Sequence, residues 1–117
     1  MKETMDTIIQ WHKQTFPDAT LDGQIIKYAE ETNEFMRADL GDLSELADMV
    51  IVCAGIMRFA KRLGGCFLQN TYTICWEIGE YDMTDLWDEV DKKMQINRKR
   101  IWQKQLDGTF HHTNKEE

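Results

Sequence analysis

Two pairs of carboxylates at helical spacing lie close together in this chain, Glu31 with Glu34 and Glu45 with Asp48. Residues three apart on a helix share a face, with Cβ atoms roughly 5–6 Å from one another. A short turn-like segment, Asp39–Asp42, separates the pairs. If it folds the flanking helices into an antiparallel hairpin, four carboxylates converge on one small volume. Negative charges that close repel, and the arrangement is sensible only with a cation between them. An all-oxygen ligand set favours a hard divalent ion, Mg²⁺ or Mn²⁺ before Zn²⁺.

The elements that must position these acids are helical. A first helix from about Glu3 to Thr15 carries Met5, Ile8, Ile9 and His12 as a stripe, and Phe16-Pro17-Asp18 breaks it. Asp18 or Thr20 caps a second helix, Leu21 to Ala38, whose buried stripe is Leu21, Ile25, Tyr28, Thr32 and Phe35. On a helical wheel Gln24 and Glu31 border that stripe, Glu34 lies one step further round, and Glu30 points away. Glu31 and Glu34 are therefore the inward pair. A third helix runs from Asp42 to about Leu63, where Gly64-Gly65 stops it. Between Leu46 and Ala60 it holds only two charges, Asp48 and Arg58, and a helix apolar on all sides is buried on all sides. Val52, Ile56 and Phe59 continue the face that carries Glu45 and Asp48, so these acids head into the interior. There an unpartnered carboxylate must find a cation, a donor or a proton.

Residues 66–83 read as a short helix, although Thr71–Ile74 has strand-like side chains. Thr84 caps a last helix, Asp85 to about Gln103, with Leu86, Val90, Lys93, Asn97 and Arg100 on one face. Polar residues that continue an apolar face suggest a site at that end for something anionic. The tail over residues 103–117 is polar and poorly packed. The expected architecture is an all-α bundle of four to five helices in a single domain, 1–117.

Composition narrows the function classes. Net charge of −7 argues against a nucleic-acid backbone as partner, since that affinity needs clustered Lys and Arg. The start, MKETMDTIIQW, lacks a signal peptide's long apolar run, and Met49–Met57 is too short to span a bilayer. Three cysteines without a CxxC pattern fit reduced thiols, and the expectation is a cytoplasmic protein with no membrane partner.

Blander accounts exist for each residue. Glutamates such as Glu31 and Glu34 commonly line a solvated face. Glu45 fits a capping box with Asp42. Lys93, Asn97 and Arg100 fit the cationic end of a helix. His12 reads as a core-edge residue, His111 and His112 as part of a solvated tail, and the four tryptophans as packing anchors. What favours a site is the occurrence of both carboxylate pairs on consecutive helices beside one turn.

Glu30-Glu31-Thr32-Asn33-Glu34 followed by Glu45-Leu46-Ala47-Asp48 resembles the EExxE…ExxD signature of the MazG-like all-α nucleoside triphosphate pyrophosphohydrolases. Trp11-His12, Phe16–Thr20, Glu45–Phe59, Lys93–Arg100 and Asp107-Gly108-Thr109 are similar to the short phage and bacterial members, nearest the dATP/dGTP diphosphohydrolase branch. The resemblance runs from Trp11 to about Thr109, apart from residues 66–83. The gap between the carboxylate pairs is short for the family, which implies a tight turn at Leu40-Gly41-Asp42.

That resemblance implies a homodimer or homotetramer and Mg²⁺-dependent hydrolysis of a nucleoside triphosphate to monophosphate and pyrophosphate, with Mn²⁺ as an alternative ion. It implies Glu31, Glu34, Glu45 and Asp48 as catalytic metal ligands, and Lys93, Asn97 and Arg100, with Gln24, as substrate contacts. The rival reading is a non-catalytic helical protein that binds nucleotide or metal, or an interaction module, on the same bundle.

Overall fold

The computed structural model describes residues 2–38 and 42–113. Five helices follow in order: α1 (Met5–Thr15), α2 (Leu21–Arg37), α3 (Leu43–Phe59), α4 (Lys61–Ile78) and α5 (Met83–Asn97). A two-stranded antiparallel hairpin, β1 (Trp102–Lys104) and β2 (Phe110–His112), completes the described chain. The fold is all-α with this small addition. No helix among the described residues is long and apolar enough to cross a membrane. The tight turn expected at Leu40-Gly41-Asp42 lies mostly outside the described residues.

Helix α3 is the axis of the molecule, and each of the other four helices packs against it. Its sequence dictates this role. Every residue from Leu46 to Ile56 is buried except Asp48. Burying a Leu, Ile, Val or Met side chain contributes about 1.5–3 kcal/mol, so this segment dominates the apolar driving force. One chain thus covers the middle of α3, while its first turn is half-buried and Phe59 in its last turn is 41% exposed.

Local capping sets where the elements begin. Thr20 caps α2 by accepting from Gly23 N at 3.0 Å, one of the two candidates expected. Asp42 caps α3 by accepting from Ser44 N at 3.0 Å. The last helix starts earlier than expected because Asp82, not Thr84, forms a reciprocal capping box with Asp85. It ends at Asn97 rather than Gln103.

Two differences from expectation have clear physical causes. Gly64-Gly65 does not stop a helix. The break falls at Ala60, which is extended (φ −142°, ψ 90°), and α4 then runs through both glycines to Gly79 in the left-handed region (φ 78°). Gly64 is what lets α4 lie on the end of α3, since a Cβ there would sit 2.6 Å from the Met57 backbone nitrogen. Nor are residues 66–83 a short helix with strand character. Thr71 and Thr73 satisfy their hydroxyls on the Phe67 and Gln69 carbonyls one turn back, a bond that suits threonine to a helix. Thr71 is fully buried and also bonds the Tyr28 hydroxyl at 2.9 Å, which joins α4 to α2.

The tail expected to be polar and poorly packed is, up to Thr113, a hairpin docked on the helices. Thr109 is fully buried, and Phe110 packs on Phe16 at 4.5 Å between ring centroids. Gly23 permits the contact, because a Cβ there would overlap the Gly108 carbonyl. Trp11, Phe16 and Trp102 form an edge-to-face cluster beneath it. Trp76, expected to anchor packing, is instead 79% exposed on α4.

The two adjacent glycines make a paired prediction. Gly64→Ala should cost roughly 1–3 kcal/mol, because the backbone of α3 cannot give way to a methyl group. Gly65→Ala meets nothing within 4 Å and should stabilise by about 0.4–1 kcal/mol through the unfolded chain. Chemical denaturation of the two variants checks this, and equal shifts would contradict the packing account.

Candidate functional site

Helices α2 and α3 bring three carboxylates together. Glu31, Glu45 and Asp48 each offer an oxygen, and these atoms lie within 4.8 Å of one another. Glu31 is buried, while Glu45 and Asp48 are half-buried. Glu31 Oε1 is buried with no hydrogen-bond partner. Glu34 does not join the cluster at that distance. It is exposed at the rim, close enough for its charge to act on all three. Glu45 faces this cluster, and its capping-box alternative is not formed.

Among the described residues, the ion pairs of the cluster leave its carboxylates under-compensated. Lys27 Nζ lies 3.3 Å from Glu31 Oε2, and Lys93 Nζ, from α5, lies 3.2 Å from Asp48 Oδ2. Against these two ammoniums stand four carboxylates, and Lys27 also serves Glu30 at 3.7 Å. Burial, then the Asp48 charge, pushes the Glu31 carboxyl up to about 8. Burial and Asp48 likewise raise Glu45, and burial raises Asp48 in spite of Lys93. Removing carboxylates from water without enough counter-charge raises them together, and a divalent ion is the natural remedy. The orphaned Glu31 oxygen and the all-carboxylate donor set both fit such an ion.

The cluster opens into a cavity of about 410 Å³. Lys93, Asn97 and Arg100 line the side opposite α2, as the last-helix face suggested, although Arg100 lies beyond the end of α5. Asn97 is buried and holds Arg100 in place, accepting from its Nη1 at 3.0 Å. Gln24 lines the same cavity from α2, two turns before Glu31. All eight residues picked out from the sequence therefore border one space.

Several lining residues were not legible. His12 is 4% exposed and bonded on both ring nitrogens, to Gln24 and to Arg58. Burial is the main cause that drops its pKa to about 4. Phe110, His111 and His112 reach the cavity from β2, and His111 Nε2 lies 3.3 Å from Glu30 Oε1. Asp107-Gly108 between two aromatic runs is the hairpin signal that could have placed them.

No protein-family model matches the chain. It is 30% identical over 102 residues to a dATP/dGTP diphosphohydrolase of Salmonella phage PMBT28, an alignment of 87% of this chain with 28% of that protein. The chain spans less than a third of that relative's length. It is also similar, at 25% identity and a TM-score of 0.42, to the cyanophage S-2L MazG-like pyrophosphohydrolase, solved bound to dGDP and three catalytic Mn²⁺ ions per active site. That match covers 94% of this chain and 89% of the other. In this chain the EExxE stretch lies on α2 and the ExxD stretch on α3, and three of the four acids meet as described.

A raised carboxyl keeps its proton in the folded state after the unfolded chain has lost it. The stability contributed by Glu31 is thus full below about pH 4.5 and lost as pH rises toward 8. The metal-free protein should melt at a lower temperature at pH 8 than at pH 6. Mg²⁺ or Mn²⁺ should restore several degrees at pH 8 and less at pH 6, and Glu31→Gln should remove most of that pH dependence. Scanning calorimetry with and without chelator measures it. A flat profile with no metal response would contradict the site.

Proposed function

We propose that this chain is a nucleoside triphosphate pyrophosphohydrolase, with dATP and dGTP as foremost substrates, that releases a monophosphate and pyrophosphate. The observation that carries the reading is one cavity with an under-compensated carboxylate cluster on α2 and α3 and cationic groups facing it from α5 and beyond. The dATP/dGTP diphosphohydrolase activity of the phage relative supports it, over the stretch that the two chains share.

Glu31, Glu45 and Asp48 would hold the divalent ion, Mg²⁺ by preference or Mn²⁺, with Glu34 at the rim. When bound, the ion neutralises charge on phosphate oxygens and lowers the pKa of water. Lys93 lies on Asp48 at 3.2 Å and lines the cavity, so its ammonium would also face the phosphates. Arg100, steadied by Asn97, faces the same space and stabilises the pyrophosphate as it departs. Glu34, less enclosed than its neighbours, takes the proton from the attacking water. Glu30 is less available for that step because Lys27 and His111 both engage it. Chemistry of this kind is mostly positioning and electrostatics.

The same reading carries a homodimer or homotetramer in the cytoplasm. Its support is the exposed apolar surface of α4 and its neighbourhood, Trp76 at 79%, Phe59 at 41% and Leu63 at 37%.

Pyrophosphate release across a panel of deoxy- and ribonucleoside triphosphates, with Mg²⁺ and with chelator, tests the proposal. Turnover that needs the ion and falls about 100-fold or more in Glu45→Gln or Asp48→Asn is expected. Full turnover in either variant would overturn the assignment. A metal-bound protein that turns over nothing would be a binding module.

A further inference from the structure

The cavity has two chemically different ends. One is the carboxylate cluster. The other holds Gln24 among Trp11, Phe16 and Phe110, an aromatic surround fit for a flat ring. Gln24 and Glu31 are seven residues apart on α2, which separates them by about 10.5 Å along the axis. That span is comparable to the reach of a nucleotide from its α-phosphate to the far edge of its base. With phosphates at the cluster, Gln24 meets the base.

Which atoms Gln24 presents there is fixed by a chain of hydrogen bonds that begins at Arg58. Arg58 is a donor only. Its Nη1 is anchored on the Phe16 carbonyl at 2.7 Å and also lies 3.1 Å from His12 Nδ1. His12 Nδ1 must therefore accept, so the proton of the neutral ring sits on Nε2. Nε2 lies 3.0 Å from Gln24 Oε1 and donates to it. The pKa of His12, lowered to about 4, keeps the ring neutral through the ordinary range. Gly55 makes room for the pair, since a Cβ there would come within 2.7 Å of His12 Nε2 and closer to Gln24 Oε1. With its oxygen engaged, Gln24 has only its amide N–H groups left for the cavity. It is 4% exposed.

We propose that Arg58 and His12 are positioning residues that lock the Gln24 amide with its N–H groups toward the ligand, so that the site selects a purine with a 6-oxo group over one with a 6-amino group and, of the two foremost substrates, ranks dGTP ahead of dATP. The inference rests on the reading of this cavity as a nucleotide site. A donor-only partner gains a hydrogen bond from an oxo group and opposes an amino group with a second donor. Rotating the amide to suit the amine would leave the His12 N–H facing another donor, a buried mismatch. Arg58 acts through His12 and touches no ligand itself.

The test compares equilibrium binding of deoxyinosine and deoxyadenosine monophosphates, in saturating Mg²⁺, to wild type and variants by titration calorimetry. Wild type should prefer the 6-oxo nucleotide by about tenfold. Arg58→Met, which removes the donor to Nδ1, should bring that preference close to one, while Arg58→Lys, which keeps a donor, should retain most of it. Gln24→Glu, which presents an acceptor, should reverse the preference, and it tests the proposal even if Arg58→Met does not fold. Equal binding by wild type, an unchanged preference in Gln24→Glu, or a loss in Arg58→Met that weakens both nucleotides alike would overturn the proposal. So would failure of wild type to bind either at millimolar concentration. A clear 6-oxo preference in a protein that releases no pyrophosphate would leave this inference standing and remove the enzymatic reading.

Discussion

Carboxylates carried into the interior on an apolar helix are the constraint on which this structure turns. Helix α3 is buried from Leu46 to Ile56 apart from Asp48, the one charged residue in that run. The hydrophobic segment that organises the core also fixes Asp48 and Glu45 beside Glu31 of α2. Packing energy distributed over many side chains thus offsets a local electrostatic cost. The cost is visible in three carboxyls raised by burial and in a Glu31 oxygen with no hydrogen-bond partner. Strain of this kind persists only where the surrounding structure over-determines it.

The remaining elements serve that arrangement. Helix α5 brings Lys93 onto Asp48 and ends at Asn97, whose side chain orients Arg100. The start of α1 is tied to the end of α5 by Glu3, which takes two hydrogen bonds from Arg98 at 3.0 and 2.9 Å. The hairpin closes the aromatic end of the cavity, with Gly23 allowing its turn to lie directly on α2. At the same end, Arg58 links α3 to the turn after α1 through the Phe16 carbonyl and to α2 through His12 and Gln24. One space is therefore polar and anionic at one end, aromatic at the other, and bounded by elements all referred to α3.

Much of this was legible because it is written in periodicity. The stripe of α2 and the apolar run of α3 gave those helices closely, and the ExxE and ExxD spacings pointed to a shared site. Wheel geometry was too coarse to separate Glu31 from Glu34, since a step of one position around a helix decides between a buried oxygen and an exposed rim. Glycine was misleading at Gly64, where it marks close approach of two helices, whereas the true stop is Gly79 in the left-handed region. The hairpin was hidden by its polar composition, although Asp107-Gly108 between Trp102 and Phe110 carried the turn signal. The network of Arg58, His12 and Gln24 joins residues up to 46 positions apart, and no local pattern encodes such contacts.

Equilibrium binding of Mn²⁺, followed by loss of the free-ion electron paramagnetic resonance signal, tests the central claim most directly. The account predicts saturable binding to wild type at pH 7.5, weakened at least tenfold by Asp48→Asn and left nearly unchanged by Glu77→Gln on exposed α4 surface. Equal binding by all three proteins, or none at millimolar ion, would contradict the assignment of Glu31, Glu45 and Asp48 as a cation site.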